Sequence, residues 1–200
     1  MKFILAMLSI ICLIFLTGCS AKDTNNINKK ELEELANKYG GVYIFNKKYL
    51  EEIEKREEER KNLSAELGDK IRKKIGKHTY SIDMKPIDKK LPQILSNGKR
   101  YYTYWTHYEN ETGKTAVIPQ IYVDKIKKFI GLENYNKYKP DMLLSYFYID
   151  KNNEIIPVSI SVYYNVINTE YGIFGDEGAG ISFTKKTVKD LGGFNKFYLE

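Results

Sequence analysis

Acid–base and nucleophilic chemistry at neutral pH calls for histidine, cysteine or an activated hydroxyl. The 200-residue chain holds two histidines, His78 and His107, and two cysteines, Cys12 and Cys19. A histidine paired with a carboxylate could run general-base hydrolysis, with Ser145, Ser159 or Ser161 as nucleophile. None of these serines stands in a Gly-x-Ser-x-Gly elbow. A zinc site needs three or four placed ligands, and the sequence has neither His-Glu-x-x-His nor any paired histidine spacing. The run Gly175-Asp176-Glu177-Gly178-Ala179-Gly180 is neither a dinucleotide fingerprint nor a Walker loop, and Asp176 and Glu177 lack EF-hand spacing. It reads as a surface loop. These residues point away from an enzyme and away from any bound metal or cofactor.

Aromatic side chains offer different chemistry. Tyr101, Tyr102, Tyr104, Trp105 and Tyr108 fall within eight positions. Read as a strand, the segment Arg100 to Tyr108 places Tyr101, Trp105 and His107 on one face and Tyr102, Tyr104 and Tyr108 on the other. One face must pack in the core, and the other is free to bind. Exposed Tyr and Trp give large, rigid contact area suited to protein interfaces and to stacking on sugar faces. Tyr163, which alternates onto the same side of its strand as Ser159 and Ser161, completes the expected binding set of Tyr101, Trp105, His107 and Tyr163. Charge narrows the partners. The net charge is +6, but only Arg56, Arg60, Arg72 and Arg100 among 32 basic residues are arginine. Base-edge and phosphate readout favour arginine, so nucleic acid is not an expected partner. Lysines interleaved with acids, as between Glu51 and Lys61, mark a solvated helix face.

The N-terminus says where the chain works. Lys2 precedes an apolar run from Phe3 to Leu16, broken at Ser9. Fourteen residues are short for a membrane-spanning helix, which needs about 20, and suit a secretory signal. The run ends in Leu16-Thr17-Gly18-Cys19, which resembles the lipobox of bacterial lipoproteins. The resemblance covers residues 1–20. It implies cleavage before Cys19 and lipidation of that thiol, hence a protein held on the cell membrane by a lipid anchor. Ser20, where an aspartate would favour inner-membrane retention, implies the outer membrane if the cell has two. Cleavage removes Lys2, lowering the net charge by one, and leaves no free thiol for catalysis, disulfides or metal.

These groups need a scaffold. Residues 19–29 read as a lipidated cysteine and flexible tether, with an end-to-end distance of roughly 17 Å for ten residues. Residues 30–200 read as a single α+β domain, with 30–76 as a possible separate helical hairpin. Leu32, Leu35, Ala36 and Tyr39 share a helix face behind an Asn28 cap, and Gly40-Gly41 stops that helix. Val42 to Phe45 fits a strand or the start of the next helix. A second helical pattern runs from Lys47 to Ile75, apolar at both ends and ending at Gly76. Its middle, Glu54 to Asn62, contains no apolar residue, which predicts a solvated stretch or a break. Strands are expected at His78 to Met84 and at Arg100 to Tyr108, the latter returning through Thr115 to Ile118 as a hairpin. Pro119 opens a helix that Gly131 closes. A second hairpin joins Asp141–Asp150 to Glu154–Ile167 around Lys151-Asn152-Asn153. Short strands at Tyr171 to Phe174 and Ile181 to Phe183, a helix at Thr184 to Leu191, and a last strand at Phe194 to Leu199 complete the pattern. Helices first, then adjacent hairpins with one or two further helices, predict an α+β fold with an antiparallel sheet. The expectation for function is a membrane-anchored envelope lipoprotein acting as a non-enzymatic binding or interaction module with an envelope protein partner. The alternative is a small envelope hydrolase acting on cell-wall glycan or lipid.

Overall fold

The computed structural model describes residues 29–200 apart from 177 and 179. The lipobox, Cys19, Asn28 and Glu177 lie outside the described residues.

Helix α1 (Lys29–Tyr39) presents Leu32 and Ala36 to the core and stops at Gly40. Strand β1 (Gly41–Ile44) follows at once, so Val42 to Ile44 are strand and Phe45 falls just past its end. Asn46 then caps α2 (Lys47–Leu67), its side chain accepting from the Tyr49 amide at 2.9 Å. This helix runs unbroken through its charged middle, because Arg60 is buried there and makes contacts that an apolar residue would otherwise supply. Its guanidinium donates to Asp88 Oδ1 at 2.7 Å and to the Leu91 carbonyl. The helix ends earlier than the pattern predicted. Gly68 takes φ 49, a left-handed conformation that an L side chain resists, and a 3-10 turn, Gly68–Ile71, carries the chain into β2 (Arg72–Lys74). Gly76 therefore lies in the turn to β3 (Tyr80–Ile82) and caps no helix. A short helix α3 (Lys85–Lys90) follows.

The aromatic segment departs most from expectation. Only Tyr101–Tyr102 forms a strand, β4. Trp105–Thr112 is a helix, α4, closed by Gly113 at φ 69. Strand propensity loses here because β4 has only two opposing residues, Tyr148 and Phe147 of β6 (Phe147–Ile149). Past them, coiling into a helix satisfies the backbone and folds the Tyr108 ring onto Tyr102 and Phe147. The expected hairpin through Thr115 to Ile118 is absent, and that segment is irregular. Helix α5 (Gln120–Ile130) begins after Pro119 as predicted, and α6 (Leu132–Tyr138) follows it.

The hairpin around Asn153 is present and longer than a single sheet can hold. Strands β5 (Asp141–Leu144) and β6 pair in one register with β8 (Ser159–Asp176) and β7 (Ile155–Pro157). The ladder is interrupted at Ser145-Tyr146 opposite Val158-Ser159, where the Tyr146 carbonyl accepts from both Val158 and Ser159 amides. Below the interruption, β4, β6 and β7 form a three-stranded sheet; above it, the main sheet runs β10–β1–β8–β5. The last strand, β10 (Asn195–Tyr198), lies parallel to β1, whereas the other pairs of this sheet are antiparallel. The fold is α+β, antiparallel in the main and mixed at this edge.

Alternation along the strands sorts the two faces. Tyr43, Ile160, Val162 and Leu144 bury one face against Ile126 and Ile130 of α5 and Tyr135 of α6. The other face carries Val42, Ser159, Ser161, Leu143 and Lys196, with Ile44 packed on Leu50 and Ile53 of α2. The remaining part of β8 leaves the body. Its partner β9 (Gly180–Gly192) takes the edge that β1 vacates, from Tyr163↔Gly192 to Asp176↔Gly180. The stretch Thr184 to Leu191, expected as a helix, is therefore strand. Its Val188 and Leu191 meet Ile167 and Tyr164 across the ladder, a pairing that local spacing does not announce.

The chain crosses itself between these elements. Leaving β9, it passes over Gly40 at Gly193 to reach the far side of β1. A Cβ on Gly40 would sit 2.7 Å from the Gly193 nitrogen, and one on Gly193 would press into the Gly40 and Ala36 carbonyls. Asn195 locks the crossing, its side-chain amide donating to the carbonyls of Asn37 at 2.7 Å and Gly40 at 3.0 Å.

Burial pushes the Tyr164 phenol up to about 12 and those of Tyr43 and Tyr101 further above the ordinary tyrosine value, with the Glu57 hydrogen bond adding to burial at Tyr101. The neutral phenols favour the folded state, so their stabilisation is complete below about pH 10, where unfolded tyrosine ionises. It is lost as pH rises from there towards 12. Alkaline titration should show tyrosinate absorbance and loss of circular dichroism rising together over that window. Full ionisation of all the tyrosines with native dichroism intact would contradict the burial of these three.

Candidate functional site

The polar face of the sheet and helix α2 do not close on each other. Between them lies a groove of about 500 Å³. Its floor is Val42, Leu143, Ser159 and Ser161 from β1, β5 and β8, with Lys196 from β10. Leu50, Glu54 and Glu57 of α2 form one wall, and Thr103, Tyr104 and Trp105 form the rim. The interruption of the long hairpin creates this space. It turns Ser145 and Tyr146 out of the ladder, so that Ser145 Oγ meets Ser161 Oγ at 2.7 Å and Ser159 Oγ accepts from the Tyr146 amide at 3.3 Å.

The charged groups are partly engaged. Lys196 Nζ stands 3.6 Å from Glu54 Oε1. Glu57 accepts hydrogen bonds from the Tyr101 hydroxyl at 2.7 Å and Gln93 Nε2 at 2.9 Å, and its Oε1 lies 3.4 Å from Arg60 Nε. Burial, then the negative charges of Glu54 and Glu57, hold the Tyr146 phenol above its usual value. Glu54 keeps half its side chain in solvent, with one oxygen on Lys196. At the mouth, Tyr104 is 70% exposed and Trp105 38%.

The expected binding residues scatter. Trp105 lines the groove as a rim residue. Tyr101 does not present a face; it is buried and holds Glu57 in place from behind. His107 lies two residues further along α4, outside the groove lining, with its ring against Tyr102 and Nε2 3.7 Å from Glu111 Oε2, beyond hydrogen-bond reach. Tyr163 is at the root of the β8–β9 pair, half-buried opposite Gly192 and Asp141. His78 is exposed beside the β2–β3 turn. Ser145, Ser159 and Ser161, considered as nucleophiles, do converge in the groove, but no histidine joins them there. Among the described residues no group of three or more His, Cys, Asp or Glu is placed to hold a metal ion, and no helix is long and apolar enough to cross a membrane.

Sequence reasoning missed Glu54, Glu57, Tyr104, Tyr146 and Lys196 as groove residues. One signal was available. Glu54 and Glu57 are spaced i, i+3, and so stand on one side of α2. Tyr104 stands beside Trp105 in the aromatic run, while Tyr146 and Lys196 enter through long-range pairing.

No protein family, curated protein or solved structure matches this chain.

Proposed function

We propose that the protein is a lipid-anchored envelope lipoprotein that works as a non-enzymatic binding module, and that the groove between α2 and the sheet takes a glycan of the cell envelope. The observation that carries this reading is the groove's lining. Two solvent-facing rings, Tyr104 and Trp105, offer flat apolar faces for the C–H side of a sugar. Serine hydroxyls and the Glu54–Lys196 pair offer acceptors and donors to its hydroxyls. The anchor at Cys19, drawn from the lipobox, would hold this groove close to the envelope polymers. The hydrolase alternative draws less support, because neither histidine meets a carboxylate or serine in the groove.

Trp105 is the chain's single tryptophan and so reports on the groove directly. Titrating the protein with soluble cell-wall glycan fragments should shift and saturate tryptophan emission. Trp105→Phe keeps a ring and should retain binding by calorimetry, whereas Trp105→Ala should weaken it about tenfold or more, roughly 1.4 kcal/mol. Unchanged emission and no heat with wild-type protein would overturn the glycan reading. Labelling cells with radioactive palmitate tests the anchor separately: Cys19→Ala should lose the label.

A further inference from the structure

We propose that the free edge of β8 is a self-docking surface, pairing antiparallel with the same edge of a second copy around a two-fold axis at Thr169. This goes beyond the glycan reading and does not depend on it.

Beyond Tyr163, β8 has β9 on one edge and, among the described residues, no strand on the other, since β5 stops at Asp141 opposite Tyr163. A two-stranded ribbon of this length is marginal alone in water. Here it also exposes large apolar side chains, with Tyr171 80% exposed, Ile173 79%, Ile181 76% and Phe183 72%. Pairing with a second ribbon would give the four strands and apolar face that a sheet needs to be stable in water.

The two edges are not equivalent. β9 carries Lys185, Lys186 and Lys189, and charged lysines on an edge strand oppose strand addition. From Ile167 to Phe174, β8 carries one charge, Glu170. The open edge is therefore β8, and its pattern is self-complementary. Ile167, Thr169 and Tyr171 lie on one face, two residues apart. With Thr169 on the axis, Ile167 falls opposite Tyr171 of the copy and Thr169 opposite its own copy. Aromatic–β-branched and Thr–Thr pairs are the stabilising cross-strand combinations. In this register Glu170 falls opposite position 168 of the copy and meets no like charge. The result is a continuous sheet in the order β9, β8, β8, β9, with the lysine strands outermost and the pairing closed at each end by β5. A closed two-fold pairing consumes the edge and cannot propagate into a fibre.

A lipid surface is a less suitable occupant. The sequence is acidic at both 176 and 177, and unpaired strand edges are costly in hydrocarbon.

The test uses the full chain purified from its membrane in mild detergent. Sedimentation should give twice the monomer mass. Mild oxidation of Thr169→Cys should convert most of the protein to a covalent dimer, well above the background of the unsubstituted chain. Lys186→Cys, opposite Thr169 on β9, should not crosslink. Thr169→Lys, which sets two like charges face to face on the axis, should return the protein to monomer with native circular dichroism, while Thr187→Lys on β9 should leave the dimer intact. A monomeric wild-type chain at tens of micromolar, or crosslinking through position 186 rather than 169, would overturn the proposal. So would a monomer whose environment-sensitive dye at Tyr171→Cys shifts when phosphatidylglycerol vesicles are added, the signature of a ribbon that faces lipid.

Discussion

Gly193→Ala should be strongly destabilising, costing on the order of 3 kcal/mol, while its neighbour Gly192→Ala should be close to neutral. The reason is space. A methyl at 193 meets the backbone oxygens of Gly40 and Ala36, and backbone cannot swing aside as a long side chain can. At 192 a Cβ finds nothing within 4 Å. To admit the methyl at 193, the end of α1 and the start of β10 must separate. That strains the Asn195 bonds to Asn37 and Gly40 and loosens the parallel β1–β10 pairing. Gly40→Ala should fail for the mirror-image reason, its Cβ lying 2.7 Å from the Gly193 nitrogen. Urea unfolding of the three variants checks this. Equal midpoints for Gly192→Ala and Gly193→Ala would show that the crossing is slack.

Phe147→Ala should cost about 3–5 kcal/mol as well, through a cavity rather than a clash, and should lower Tm by on the order of 10 °C. Phe147 is fully buried where the two sheets meet. Its ring stacks on Tyr102 at 5.3 Å and 18° and takes the edge of Tyr108 at 5.7 Å. Those partners lie on either side of Tyr104 and Trp105, so the cavity should also free the groove's rim. Tryptophan emission of the variant should move towards that of solvent-exposed indole before any unfolding begins. Phe147→Leu fills most of the volume and should recover much of the stability. Native-like emission in Phe147→Ala would separate the rim from the core beneath it.

Local signals made α1, the start of α5 and the core face of β8 readable from the chain. The periodic apolar face of α1, the Pro119 start of α5 and the alternation from Val158 to Tyr164 all appear where their spacing places them. Failures fall where a distant partner decides. Thr184 to Leu191 has helical spacing at Val188 and Leu191, yet β8 captures it as strand. Arg100 to Tyr108 has strand composition, yet lacks a partner beyond Phe147 and coils from Trp105 onward. The binding site suffered from the same dependence. Trp105 stood out by its type and the three serines by theirs, but Tyr101 was as prominent in sequence and proves to be buried. Lys196 joins the groove only through the parallel pairing of the last strand.

The placement of β1 also sets the order in which the protein can assemble. Its neighbours in the sheet are residues 159–162 on one side and 195–198 on the other. β1 therefore stays without a partner until the chain from Ser159 onward folds back to it. Sheets closed by such distant contacts fold slowly, because the loop entropy is lost before the pairing returns it. Removing residues 195–198 would leave β1 with an open edge and the Gly40 carbonyl without its Asn195 donor.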